Sequence, residues 1–119
     1  MNDLPIYLAM SGFIVMGLGA VIKPLLVTAQ FGILELSAAG RNEVRAVYGG
    51  FGILMGVALF VALRDAELRG GIVFASAFAL GGMAAGRLVS ALIDRTIDKG
   101  PLLYLVIEVA VAPLLISAL

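Results

Sequence analysis

The sequence lacks several residue types on which much protein chemistry depends. None of its 119 residues is cysteine, histidine or tryptophan. The absence of cysteine excludes disulfides, thiolate nucleophiles and cysteine-based metal sites. The absence of histidine excludes imidazole catalysis and histidine-ligated metal centres. We therefore expect neither a catalytic residue set nor a metal site in this chain.

Charge is also scarce, and it is balanced. Only 13% of the residues are charged, and eight basic and eight acidic side chains give a net charge of zero. No basic tract is present, so nucleic acid is not an expected partner. Hydrophobic residues make up 62% of the chain, and a small soluble domain could not bury that much apolar surface. The composition indicates an integral membrane protein surrounded by a lipid bilayer.

Charged residues divide the sequence into four long apolar segments. A helix that crosses the hydrocarbon layer needs about 20 residues. The segments predict membrane-spanning helices at about 4–22, 44–63, 71–93 and 101–119. The predicted fold class is all-α, an integral membrane four-helix bundle forming a single domain over residues 1–119.

The segment at about 24–40 is short for a membrane span and long for a loop. A fifth crossing would place Glu35 among lipid chains, which favours an extra interfacial or re-entrant helical segment between helices 1 and 2. Whether this segment crosses, re-enters or lies on the membrane stays open. We expect Gly40 to end it and Asn42 to cap the second spanning helix.

The joints between helices define two membrane sides. We call the side that holds the N-terminus side A and the opposite side, where the first helix ends, side B. Residues 64–70 are predicted to form a solvated turn on side A, and residues 94–99 link the last two helices on side B. Lysine and arginine are more frequent on side B, so the positive-inside rule places side B in the cytoplasm and both termini outside.

Two glycine pairs have the spacing of helix-packing motifs. Gly52 and Gly56 lie one turn apart in the second predicted helix, and Gly82 and Gly86 lie one turn apart in the third. Small residues let helix backbones approach closely in lipid. The pairs fit packing inside the bundle, or contact with a second copy or another membrane protein.

Two charges fall well inside the membrane. Arg87 lies about two turns before the joint on side B, and Glu108 lies about two turns after it, so the depths of the two charges match. Because an unpaired charge at the bilayer centre costs about 2.5–3.5 kcal/mol, we expect the two side chains to form a bidentate ion pair. Ser90 and Tyr104, each one turn away, are expected to add hydrogen bonds.

Further polar residues lie at the side B end of the second helix. With the ion pair they form a predicted polar cluster, whose role the sequence leaves open between a structural pairing and a binding pocket. Its members are Glu43, Arg45, Tyr48, Arg87, Ser90, Tyr104 and Glu108.

One string of residues resembles a known family signature. Residues 43–50 read Glu-Val-Arg-Ala-Val-Tyr-Gly-Gly. The string is similar to the Glu-x-Arg-Ala-x-Tyr-Gly-Gly pattern of a bacterial family of small four-helix inner-membrane proteins, classed as a domain of unknown function. Weaker similarities follow at Arg87 with Ser90, at Asp98 with Gly100 and Pro101, and at Glu108. The resemblance implies the fold, a charged cluster and the bacterial inner membrane, but no reaction.

These features favour a non-catalytic role. The chain is expected to be an accessory or assembly subunit of a larger membrane complex, or a helix bundle that binds lipid or quinone; no other cofactor is evident. The alternative is a small dimeric transporter or channel that uses a proton-linked route through Glu43, Arg87 and Glu108. An enzyme is the least favoured class, since only Tyr48, Glu43 and Glu108 offer acid–base groups.

Overall fold

The computed structural model describes residues 2–119, which are largely helical and contain no strand within that range. Four of the helices are long and apolar enough to cross a membrane. This architecture confirms the predicted fold class. The helices are α1 (Leu4–Ile22), α2 (Pro24–Thr28), α3 (Ala38–Arg64), α4 (Ala66–Asp94) and α5 (Lys99–Ser117).

The segment after α1 is helical only in its first part. The short helix α2 continues into a 3-10 turn over Ala29–Phe31. Gly32 then adopts a left-handed conformation with φ of 81°, which glycine reaches without steric cost. From there to Ser37 the chain has no regular structure. The predicted helical segment is therefore present but ends well before residue 40.

Helix α3 begins earlier than the sequence predicted. The Ser37 side chain accepts a hydrogen bond from the backbone nitrogen of Gly40 at 3.0 Å and so caps the helix. Gly40 and Asn42 consequently lie inside α3, and the prediction that they end one helix and cap the next is wrong. Six residues of α3, Arg45–Gly50, form a π-helical stretch.

The joint between α3 and α4 is a single residue. Asp65 accepts hydrogen bonds from the backbone nitrogens of Glu67, at 2.9 Å, and Leu68, at 3.1 Å. This cap starts α4 at Ala66. The predicted solvated turn over residues 64–70 is therefore wrong, because most of those residues belong to the first turns of α4.

Glycines bring α1 and α3 into close contact. A methyl group on Gly17 would lie 2.7 Å from the backbone nitrogen of Ile53, and one on Gly52 would lie 2.9 Å from the carbonyl oxygen of Phe13. A side chain at Gly56 would collide with Ile14. The first glycine pair thus packs inside the bundle, as small residues do in membrane proteins.

The second glycine pair behaves differently. A methyl group on Gly82 or Gly86 would meet no atom within 4 Å. The prediction that this pair packs a helix inside the bundle is therefore wrong for the single chain. The same spacing produces a contact only where another helix faces it.

The packed core lies toward side A. Buried side chains from all four long helices meet there: Ile6, Phe13, Leu59, Val73, Leu80 and Leu115. A second, smaller cluster joins α1, α2 and α3 through Ala20, Val27 and Val44. Beyond the packed core, toward side B, the four long helices line a cavity.

Candidate functional site

An open cavity of about 1030 Å³ lies between the helices and extends from the side B joint to Leu8, in the second turn of α1. All four long helices contribute to its lining, which extends along α4 from Ala79 to Asp94, about 22 Å at the rise of an α-helix. Most of the lining side chains are apolar. The volume lies at the upper end of the range for small-molecule pockets, about 300–1,000 Å³.

The predicted ion pair is present in the wall of this cavity. Arg87 Nε donates to Glu108 Oε1 at 2.8 Å, and Arg87 Nη2 donates to Glu108 Oε2 at 3.3 Å. The Glu108 side chain is 5% exposed and that of Arg87 is 22% exposed. The carboxylate is thus enclosed, whereas part of the guanidinium remains accessible.

Two aromatic rings flank the guanidinium. The Arg87 Cζ atom lies 5.8 Å from the ring centroid of Phe31 and 5.4 Å from that of Tyr104. The two rings are themselves 5.5 Å apart. Cation–π attraction at these distances holds a guanidinium in place. Arg87 is therefore fixed by a carboxylate and by two rings that come from separate segments.

Tyr104 does not bond to the ion pair as the sequence predicted. Its hydroxyl donates to Gln30 Oε1 at 2.7 Å, and Gln30 Nε2 donates to the carbonyl of Leu26 at 2.7 Å. Gly100 lies against the backbone carbonyl of Gln30, where a side chain would collide. These contacts attach the segment that follows α1 to the start of α5, beside Arg87.

The remaining predicted residues divide into two groups. Tyr48 and Ser90 line the cavity. Glu43 and Arg45 do not, because Arg45 Nε donates to the carbonyl of Val21 at 3.0 Å and Glu43 is exposed. Tyr48 and Ser90 thus share the cavity with the ion pair, but the predicted hydrogen bond from Ser90 to the pair is absent among residues 2–119.

The π-helical stretch of α3 forms part of the cavity wall. Three of its consecutive residues, Ala46, Val47 and Tyr48, line the cavity.

The predicted polar cluster omitted two acidic residues of the cavity, although the family resemblance includes Asp98. Asp94 and Asp98, at the joint between α4 and α5, also line it. Arg87 is the one basic side chain in the lining formed by residues 2–119. Across that same described range, no three carboxylates come together in an arrangement that could hold a metal ion.

Sequence reasoning also missed a second ion pair, on side A. Arg69 Nη1 donates to Asp3 Oδ1 at 2.7 Å, and Nη2 lies 3.4 Å from the carbonyls of Asn2 and Ala118. The Arg69 side chain is 8% exposed. The cap signal at Asp65 was readable in the sequence, and it would have moved Arg69 from a loop into the first turns of α4.

The comparisons with known proteins identify a family. The family described as "Domain of unknown function (DUF4345)" matches residues 4–119, and the chain belongs to it. No match was found among curated proteins or solved structures.

Proposed function

We propose that this DUF4345 protein is a multi-pass membrane protein that binds a membrane amphiphile in the side B cavity. The apolar chain of the ligand lies between α1 and α4, and its polar head meets Arg87 and Glu108. The observation that carries the proposal is the ion pair in the wall of an apolar cavity of about 1030 Å³. Pockets for small molecules combine an apolar lining with a few polar groups in this way.

The ion pair alone adds little net stability to the fold. Partial burial of two charges costs solvation energy that their attraction often only offsets. Arg87 uses two of the five N–H donors of its guanidinium, and 22% of its side chain is exposed. The unused donors support a role in binding.

The proposed role is binding without catalysis, in keeping with the lack of histidine and cysteine. Of the functions expected from the sequence, this proposal corresponds to the helix bundle that binds lipid or quinone. The accessory-subunit role, a homodimer and the transporter alternative remain predictions.

We further propose that side B faces the cytoplasm of a bacterial inner membrane. On side A, Arg69 is buried against Asp3 and adds little free positive charge, which leaves Arg64 exposed there. On side B the exposed basic residues are Lys23, Arg41, Arg45, Arg95 and Lys99. This asymmetry fits the positive-inside rule. A reporter that is active only in the cytoplasm, fused after Leu119, should stay inactive.

Native mass spectrometry of the full chain in mild detergent tests the proposed binding. We expect the wild-type chain to retain an amphiphile, and Gly86→Leu to lower its occupancy about tenfold because the new side chain enters the cavity. Gly82→Leu is the matched control, since it adds the same side chain one turn away and outside the lining. Equal occupancy in the two variants would overturn the proposal.

A further inference from the structure

We infer that the head of the bound amphiphile is an uncharged ring with hydrogen-bond-accepting oxygens, and that the ligand class is a membrane quinone. The inference rests on the proposed function and specifies which ligand the cavity takes. It follows from the charges, the hydrogen-bond donors and the aromatic rings around Arg87.

The charges of the lining disfavour an anionic head. The Arg87 charge is already balanced by Glu108 at 2.8 Å. The other charged residues in the lining, Asp94 and Asp98, are both acidic. A phosphate head would therefore meet a neutral ion pair and two carboxylates that carry the same negative charge as the phosphate. Because like charges repel and burial of an unmatched charge is costly, an uncharged head fits this lining better than an anionic one.

The unused N–H donors of Arg87 favour a head group with acceptor oxygens. Both Glu108 oxygens accept bonds from Arg87, and the Tyr104 hydroxyl is bonded to Gln30. Arg87 has three further N–H donors without an acceptor among residues 2–119. The Tyr48 hydroxyl, which comes from α3, has no hydrogen-bond partner in that described range either and lines the same cavity. Ligand oxygens that accept hydrogen bonds would satisfy these donors.

The rings beside Arg87 favour a flat head. Phe31 and Tyr104 lie next to the guanidinium with their ring centroids 5.5 Å apart and their planes tilted by 50°, and a planar head can contact such a ring by offset or edge-on stacking. A quinone is planar, carries two carbonyl acceptors and has no charge. Its isoprenoid tail matches the apolar lining that extends from Arg87 past Met83 toward Leu8.

The test measures binding of four probes to the full chain after lipid removal in mild detergent. The probes are decylubiquinone, dioleoylglycerol as a neutral ester, dioleoylphosphatidylglycerol as an anionic lipid, and tetraphenylphosphonium as a lipophilic cation. The chain has three tyrosines and no tryptophan, so quenching of tyrosine fluorescence reports quinone binding, and native mass spectrometry reports all four. We expect decylubiquinone to bind most tightly, and Gly86→Leu to weaken it while Gly82→Leu does not.

Two variants distinguish the loss of head-group contacts from the loss of the fold. Arg87→Lys keeps the charge opposite Glu108 but removes the planar fork of donors. The double variant Arg87→Leu with Glu108→Leu replaces the pair with apolar side chains, a change that buried ion pairs often tolerate. We expect quinone affinity to fall about tenfold or more in both, with helical content by circular dichroism unchanged.

The outcomes distinguish the inference from the proposed function. If the ester, the anionic lipid or the cation binds more tightly than the quinone, and Gly86→Leu blocks that binding, the quinone assignment is overturned and the cavity remains a ligand site. If quinone binds equally to wild type and to Arg87→Lys, the head-group inference is overturned. If no probe and no natural amphiphile responds to Gly86→Leu, both proposals fail.

Discussion

The two arginines of α4 that form ion pairs occupy contrasting environments. Arg69 and Arg87 are eighteen residues apart, five helical turns or about 27 Å, so they lie on the same face of the helix. Arg69 is enclosed on side A by Asp3 and by backbone carbonyls from both ends of the described chain. Arg87 is paired with Glu108 in the wall of the cavity, and 22% of its side chain is exposed, against 8% for Arg69.

The contrast shows that the surroundings of an arginine decide its role. On side A the guanidinium joins α4 to the residue before α1 and to the residue after α5, above a packed core. On side B the helices leave a large cavity, and the guanidinium contacts one carboxylate and two rings. We therefore expect Arg69 to contribute to stability, and we propose that Arg87 contributes to binding.

The largest expected effect is that of Arg87→Leu alone. The change leaves the Glu108 carboxylate, whose side chain is 5% exposed, without its partner. Loss of one member of a buried pair costs about 3–5 kcal/mol. Unfolding of the purified chain by added sodium dodecyl sulfate, followed by circular dichroism, measures the loss.

The double variant Arg87→Leu with Glu108→Leu is the control for that loss. Because it removes both charges, we expect its stability to return to within about 1 kcal/mol of the wild type. A double variant as unstable as the single one would mean that the pair itself holds the fold. That result would remove the distinction between the two arginines.

Arg69→Leu should give the next largest effect, on stability alone. The variant loses a charged hydrogen bond to Asp3 and leaves the carbonyls of Asn2 and Ala118 without this donor. We expect a cost of about 2 kcal/mol, typical of hydrogen bonds to charged groups. The same detergent titration measures it, and bound amphiphile in native mass spectra should be unchanged. A loss of ligand equal to that in the Arg87 variants would contradict the assignment.

The ion pair could be predicted from the sequence, whereas the cavity around it could not. Arg87 and Glu108 were predictable as partners because both lie about two turns from one short joint, which fixes their relative depth. The cavity beside them was not predictable, because it depends on how far apart whole helices stand. Local periodicity reports which face of a helix is apolar, and it carries no information on that separation.

Two further contrasts mark the limits of sequence reasoning. The pairs Gly52 with Gly56 and Gly82 with Gly86 have the same spacing, yet only the first meets another helix. Spacing shows that close approach is sterically allowed, and the neighbouring helix decides whether it occurs. Arg69 lies in a charged stretch that resembles a loop, and the cap formed by Asp65 makes it helical.

A smaller effect is expected from Gly86→Leu, which tests the cavity without altering any charge. About tenfold weaker ligand retention corresponds to about 1.4 kcal/mol of binding free energy. Stability should not fall, since leucine favours a helix over glycine by several tenths of a kcal/mol and the position has open space around it. The measurement is the native mass spectrum, with Gly82→Leu alongside. A stability loss in Gly86→Leu alone would indicate packing rather than a cavity.

The smallest effect should come from Tyr104→Phe, which removes one exposed hydrogen bond to Gln30. Its cost should be at most about 1 kcal/mol. Because that bond attaches the Pro24–Thr28 helix and the turn after it to α5, amide hydrogen exchange should accelerate there and remain unchanged in α4. Tyr7→Phe, on an exposed side chain of α1, is the control. Unchanged exchange in both variants would show that the bond does not hold the segment.

The most direct test of the account compares bound amphiphile in the wild type, in Arg69→Leu and in the double variant Arg87→Leu with Glu108→Leu. Native mass spectrometry from the same mild detergent supplies the measurement, with circular dichroism to confirm that each chain is folded. We expect full occupancy in the wild type and in Arg69→Leu, and a folded double variant whose occupancy is lower by about tenfold or more. Equal occupancy in all three would contradict the claim that the Arg87–Glu108 pair is a ligand site.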